Sequence, residues 1–277
     1  MQGELVATTT ADGQTLHGCL VAPSSPRLAV LALHDLYGNF YALPDLADLA
    51  AGLANAGGAL LAANTRDHDG VASLSTATLQ FPDANQSPPE LLDAAGLDIA
   101  AWLGFLQAHG LTRILLLGQG LGACKVAAYT ESQADQRLAG LALLSPPDHA
   151  ALVSQLGQRL DEALAWALLM LEAGQADELI RLEGIGPLSA RTIRDLFGLR
   201  GVFNRFDYAD RAHDWGWLAR IRVPLLVLHT EADRLSRPAP DALALIARHA
   251  TAAPSVATRV LSTEAVAPAV VEWVRAI

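Results

Sequence analysis

Two cysteines in 277 residues leave too little sulfur for a disulfide framework or a zinc cluster, and Cys19 and Cys124 fall in segments that read as a strand and a helix. A reducing cytoplasm is the expected compartment. Charge is sparse as well. Only 17% of residues are charged, and the net charge of −10 is spread along the chain with no basic cluster, so nucleic acid is not an expected partner. No apolar stretch reaches the ~18 residues that a membrane span needs. Residues Met1 to Thr10 lack a basic region followed by an apolar run, so neither secretion nor membrane insertion is expected. There is no internal repeat, and nothing in the composition calls for a cofactor.

What is present is a chain long enough for one large α/β domain, rich in short apolar runs alternating with segments of helical period. Glu4 to Thr10 and Gln14 to Val21 flank the turn signal Ala11-Asp12-Gly13, which predicts an antiparallel hairpin. Leu28–Leu33, Ala59–Ala63, Ile114–Leu117, Leu138–Leu144 and Val223–Leu228 are nearly continuous apolar runs, as expected for parallel strands buried on both faces, and Val256–Leu261 reads as the last strand. Helices are predicted around Leu46 to Asn55, through Ala95, Ile99, Trp102, Leu103 and Leu106, and through Val266, Val270, Trp273, Val274 and Ile277. The alternation breaks between Asp148 and Trp217, a largely helical stretch holding seven of the fifteen aromatics. It reads as a helical cap (148–217) inserted into a core made of residues 1–147 and 218–277. The loop from Asp67 to Pro89 is long for its type and is expected to help cover a pocket.

The most informative absence is at Gly120. Ile114 to Ala123 reads as strand, sharp glycine turn and helix start, the context of a G-x-S-x-G nucleophile elbow, but Gly118-Gln119-Gly120-Leu121-Gly122 carries glycine at the serine position. A dinucleotide fingerprint would also fit Gly118-x-Gly120-x-x-Ala123, yet Leu138 to Ser145 lacks the acid that should follow it.

Taken with the hairpin, His34-Asp35 after the first parallel strand, Asn64-Thr65-Arg66-Asp67-His68-Asp69 after the second, the cap, and Asp233 after Leu225–Leu228, the chain resembles the α/β-hydrolase family over nearly its whole length, in particular its cap-bearing esterase-like members. The resemblance implies a mostly parallel twisted sheet with helices on both faces. It also implies a triad in the order serine, acid, histidine, of which Asp233 matches the acid. The histidine position after the last strand reads Ser262-Thr263-Glu264, and no histidine follows His249. Losing the nucleophile alone costs roughly a millionfold in turnover, about 8 kcal/mol of transition-state stabilisation, so conventional serine hydrolysis is not expected.

The residues left to work with are therefore weighed individually. The backbone amides of Leu121 and of a residue near Leu36 sit where oxyanion donors are expected. His34 and Asp35 are candidates for replacement acid–base chemistry, although His34 also fits a core histidine supporting its loop. Tyr37, Asn39 and Gln119 either face a ligand or shape the turns they occupy, and Arg66 either holds a ligand carboxylate or braces its loop. Asp233 is a functional carboxylate, a helix cap or a partner of Arg234 or Arg237. Glu264 is a water-activating base or a first-turn carboxylate with Thr263 as cap. A metal is not expected, because histidines and acids at strand ends are ordinary in this fold and no i, i+4 histidine pair fixes a site. Cys124 is expected to be inert, and Lys125 ion-paired. Two functions remain: a non-hydrolytic enzyme (isomerase, lyase or cyclase type) acting on a small, mostly apolar compound with a carbonyl or carboxylate between core and cap, or a pseudoenzyme that binds a ligand or a protein. Hydrolysis by activated water is a third. A homo-oligomer is compatible with all of them.

Overall fold

A computed structural model describes residues 2–35, 38–43, 45–68, 93–182, 186–198, 204–208, 213–231 and 240–277. Strands β1 (Glu4–Thr9) and β2 (Thr15–Val21) form the expected hairpin, with Glu4 opposite Leu20 and Thr9 opposite Thr15. They continue antiparallel onto β4 (Gly58–Ala63), which lies parallel to β3 (Leu28–Leu33). Adding β5 (Ile114–Gln119), β6 (Leu138–Leu144), β9 (Leu225–Thr230) and β10 (Val256–Leu261), all parallel, gives an eight-stranded sheet of order β1-β2-β4-β3-β5-β6-β9-β10.

Every residue of β3 and β4 is buried, because helices cover both faces and the strands alternate between two cores. Ala29, Leu31 and Leu33 face one cluster with Ile99, Trp102, Leu103 and Leu106 of α2 (Asp93–Ala108) and Cys124 and Ala127 of α3 (Leu121–Ser132). Leu28, Val30 and Ala32 face the other, with Leu49 and Leu53 of α1 (Leu46–Asn55) and Val270, Trp273 and Val274 of α8 (Val266–Ala276). A period of two in the strand thus becomes two packed layers. Trp102 is anchored as well as buried, its indole N–H donating to the Asn64 carbonyl at 2.9 Å.

Between β6 and β9 lie α4 (His149–Leu156), α5 (Gln158–Glu172) and α6 (Ala190–Phe197). The segment is largely helical and also holds a hairpin that the periodicity does not indicate: β7 (Leu179–Leu182) and β8 (Gly186–Ser189) pair antiparallel as a separate two-stranded sheet. At four residues each, these strands are too short to show a period. Helix α7 (Pro240–His249) packs Leu243 and Ile246 into the first core. No described helix is long and apolar enough to cross a membrane.

Candidate functional site at the glycine elbow

Strand β5 ends in a sharp turn at Gly120, φ 55° and ψ −124°, and α3 starts at the next residue. L-residues rarely hold that φ, and glycine holds it without penalty. The turn is also tight against its neighbour: a Cβ on Gly122 would come 2.4 Å from the His34 carbonyl oxygen. The strand end of β3 and the start of α3 are therefore pressed together.

That contact decides what occupies the elbow. A Cβ on Gly120 would fall 2.2 Å from Cγ of Asp35 and 2.3 Å from each of its carboxylate oxygens. The Asp35 carboxylate fills the volume in which a side chain at position 120 would stand. It accepts a hydrogen bond from the Leu121 amide at 2.6 Å, a charge-assisted bond at a helix N-terminus, where negative charge is favoured. Gly120 is buried, yet Asp35 remains exposed. The expectation that Leu121 offers its amide to a substrate carbonyl is thereby corrected: the donor is taken up by Asp35.

His34 is locked. Its ring is buried, Nδ1 donates to the Asp35 carbonyl at 2.6 Å, and Nε2 accepts the Thr65 amide at 3.1 Å. Only the neutral imidazole protonated on Nδ1 fits both bonds. Burial first, and the Lys125 charge second, push its pKa down to about 4. The expectation of His34 as an acid–base group gives way to its supporting role, because both nitrogens are engaged within the scaffold.

Below it lies an ion pair that the sequence signals only through a lysine one turn into a buried helix. Lys125 Nζ, fully enclosed, donates to both Asp67 oxygens at 2.6 and 2.7 Å and to Thr65 Oγ1 at 3.0 Å. Thr65 Oγ1 in turn donates to Asp67 at 2.5 Å. Lys125 and Thr65 hold the Asp67 carboxyl below its ordinary range against the opposing effect of burial.

Arg66 is engaged within the scaffold. Its guanidinium is divided between Asp98, at 2.7 Å, and Asp12, at 2.7 Å, and its remaining donors point at the same two carboxylates. Nε and Nη2 are taken up by these carboxylates and Nη1 pairs with Asp12, which favours the loop brace over the ligand clamp. Asn39 is buried at the head of a short 3-10 turn, and the Phe40 amide there donates to Asn64 Oδ1 at 2.8 Å. Gln119 is half-buried at the end of β5. Leu36, Tyr37 and Asp233, and the stretch 69–89 of the expected covering loop, lie outside the described residues. Glu264 is exposed in the 3-10 turn Thr263–Ala265, headed by Ser262 and not by the expected Thr263 cap. Burial pushes the Cys124 thiol up to about 12, so it is inert at neutral pH.

In the segment between β6 and β9, Tyr208 Oη meets Nε2 of the buried His229 in β9 at 3.1 Å, and the Tyr208 ring stacks on Trp215 with centroids 6.0 Å apart. Sequence reasoning misses this pair, although aromatic enrichment before β9 is its visible trace. Among the described residues no group of three or more histidine, cysteine or acidic side chains is arranged to hold a metal.

No family model matches the chain, and no curated protein sequence matches it. Solved structures do. Est1E from Butyrivibrio proteoclasticus superimposes with a TM-score of 0.62 at 16% identity, covering 99% of this chain and 98% of its own. The siderophore hydrolase EstB from Aspergillus fumigatus gives 0.61 at 18% identity over 90% of this chain and 84% of its own. A Pyrococcus furiosus esterase gives 0.57 at 14% identity over 99% and 92%. At such identities the likeness concerns architecture, and it agrees with the mostly parallel eight-stranded sheet covered by helices on both faces: this chain has the α/β-hydrolase fold.

Proposed function

We propose that the chain is an enzyme that has exchanged acyl transfer for proton transfer, with Asp35 as the working group at the elbow. The observation that carries this reading is the exposed carboxylate seated over Gly120, in the volume that a side chain at position 120 would take. A carboxylate there only accepts hydrogen bonds while ionised. It is suited to drawing a proton from a small, mostly apolar compound with an acidic C–H or O–H beside a carbonyl, as in isomerase, lyase or cyclase chemistry. A carboxylate substrate fits poorly, since its charge would meet that of Asp35. Asp233 is proposed as a second acid of the same site.

The test is solvent exchange. A panel of small carbonyl compounds is incubated with the protein in D2O and followed by NMR for protein-dependent deuterium uptake, which Asp35→Asn should abolish. Stoichiometric labelling of any serine by a fluorophosphonate probe would overturn the reading.

One observation favours a second reading. Because Asp35 already occupies the Leu121 amide, the site carries its own anion, as expected of a pseudoenzyme that binds a ligand without turning it over. Compounds that shift elbow resonances without exchange would select it. The esterase and hydrolase names of two structural neighbours favour hydrolysis as a third reading, and water activated at Asp35 would then give ester turnover with no serine labelled.

A further inference from the structure

The bond between Asp35 and Leu121 joins two segments far apart in sequence, and both are anchored on the same turn. On one side, the Thr65 amide holds His34 Nε2, and His34 Nδ1 holds the carbonyl of Asp35. On the other, Asp67 holds Lys125, one helical turn after Leu121 on the same face of α3. Thr65 Oγ1 ties the two halves together by accepting from Lys125 and donating to Asp67. The 65–67 turn thus fixes the position of the carboxylate and of the amide that receives it.

We propose that Lys125 is a positioning residue for Asp35, acting through Asp67, Thr65 and His34 to hold the elbow carboxylate on the Leu121 amide. Stability alone does not explain the ion pair. Enclosing a lysine and an aspartate costs several kcal/mol per ion, and an apolar pair of the same volume serves a core equally well. What the pair supplies, and methyl groups do not, is a directional link between the start of α3 and the turn after β4. The inference deepens the reading of Asp35 as the working carboxylate by naming what holds it. It stands whether the carboxylate performs chemistry or only binds.

The test reads geometry, not activity, so its failure and that of the functional reading are separable. In the 15N-labelled full chain, the Leu121 amide resonance reports its bond to Asp35, and Asp35→Ala gives the position of the broken state. The double substitution Lys125→Met with Asp67→Asn removes both charges at near-constant volume. The expected result is a folded protein whose Leu121 resonance moves most of the way to the Asp35→Ala position, while Val227 in β9 and Ile246 in α7 stay in place. A folded double variant with Leu121 unmoved overturns the proposal. Should the double variant not fold, Thr65→Val removes the bridging hydroxyl and leaves both charges. It should move Leu121 in the same direction by a smaller amount, and no movement would again overturn the proposal.

Discussion

Two aspartates lie against one face of the same helix, and the protein treats them in opposite ways. Asp35 is exposed and is held by a backbone amide at the first residue of α3; Asp67 is fully buried and is held by an ammonium one turn further on. The first is positioned where solvent and ligands reach it, and the second is sealed among its partners. The difference teaches how a site is separated from its support: the same functional group becomes a reagent or a fastener according to what neutralises it and whether water has access.

The sharpest way to break the comparison is to remove the fastener. Lys125→Met alone strands the Asp67 carboxylate in the core, and about 3–5 kcal/mol of unfolding free energy should be lost in urea titrations. Adding Asp67→Asn should return most of it. If the single variant were as stable as the parent, Asp67 would have to be accepting a proton at no cost, and the buried ion pair would fasten nothing.

Acid should loosen the same region by a different route. The His34 pKa is about 4 in the fold against an ordinary value of 6.5. Above the ordinary value both states are neutral and nothing is lost. Between 6.5 and about 4 the unfolded chain takes up a proton that the fold refuses, so stability falls with pH, by up to about 3 kcal/mol. Below that range this contribution no longer changes. His149, also lowered by burial, acts in the same direction. Asp12 and Asp135, held at about 2 by arginine, lose their contribution only below their ordinary 3.8. Urea midpoints measured near pH 7 and about pH 4.5 check this, with His34→Gln expected to flatten the difference.

Part of this contrast is legible in the sequence. The strands Leu28–Leu33, Leu138–Leu144 and Val256–Leu261 and the helix Leu46–Asn55 have the bounds that apolar runs and period predict. Gly120 and Asp35 are both conspicuous in the sequence, one as a glycine at the centre of the turn after β5 and the other as an acid at the end of the first parallel strand. Their mutual fit is not, because it depends on a side chain from one loop reaching a helix start 86 residues away. The loop-bracing reading of Arg66 is legible, but its partners are not, since Asp12 and Asp98 lie 54 and 32 residues distant. Local pattern carries no information about which distant carboxylate pairs with a guanidinium, and a donor that looks available in sequence can be engaged in the fold.

The fit between Gly120 and Asp35 yields a double-mutant cycle. Gly120→Ser imposes a side chain at φ 55° and displaces the carboxylate, at about 1–3 kcal/mol. The cost should shrink when Asp35→Gly is already present, giving a coupling of about 0.5–3 kcal/mol. Neither variant should gain strong esterase activity, since no histidine follows the last strand in the sequence and His34 has both ring nitrogens engaged. Additive energies would show that the carboxylate does not occupy the elbow in solution.

The smallest change in stability is expected where the functional reading places the largest consequence. Asp35→Asn retains an oxygen able to accept the Leu121 amide, so the bond survives in neutral form. A charge-assisted bond exchanged for a neutral one differs by about 1 kcal/mol, and exposure reduces this further. Thermal unfolding should therefore barely move, while any deuterium exchange catalysed by the parent disappears, because an amide has no basic lone pair comparable to that of a carboxylate. A variant that stays folded and keeps its exchange activity would make Asp35 a second fastener and remove the distinction between the two aspartates. A variant that unfolds would show the elbow carboxylate to be part of the scaffold from which it is here set apart, no different in kind from the buried Asp67.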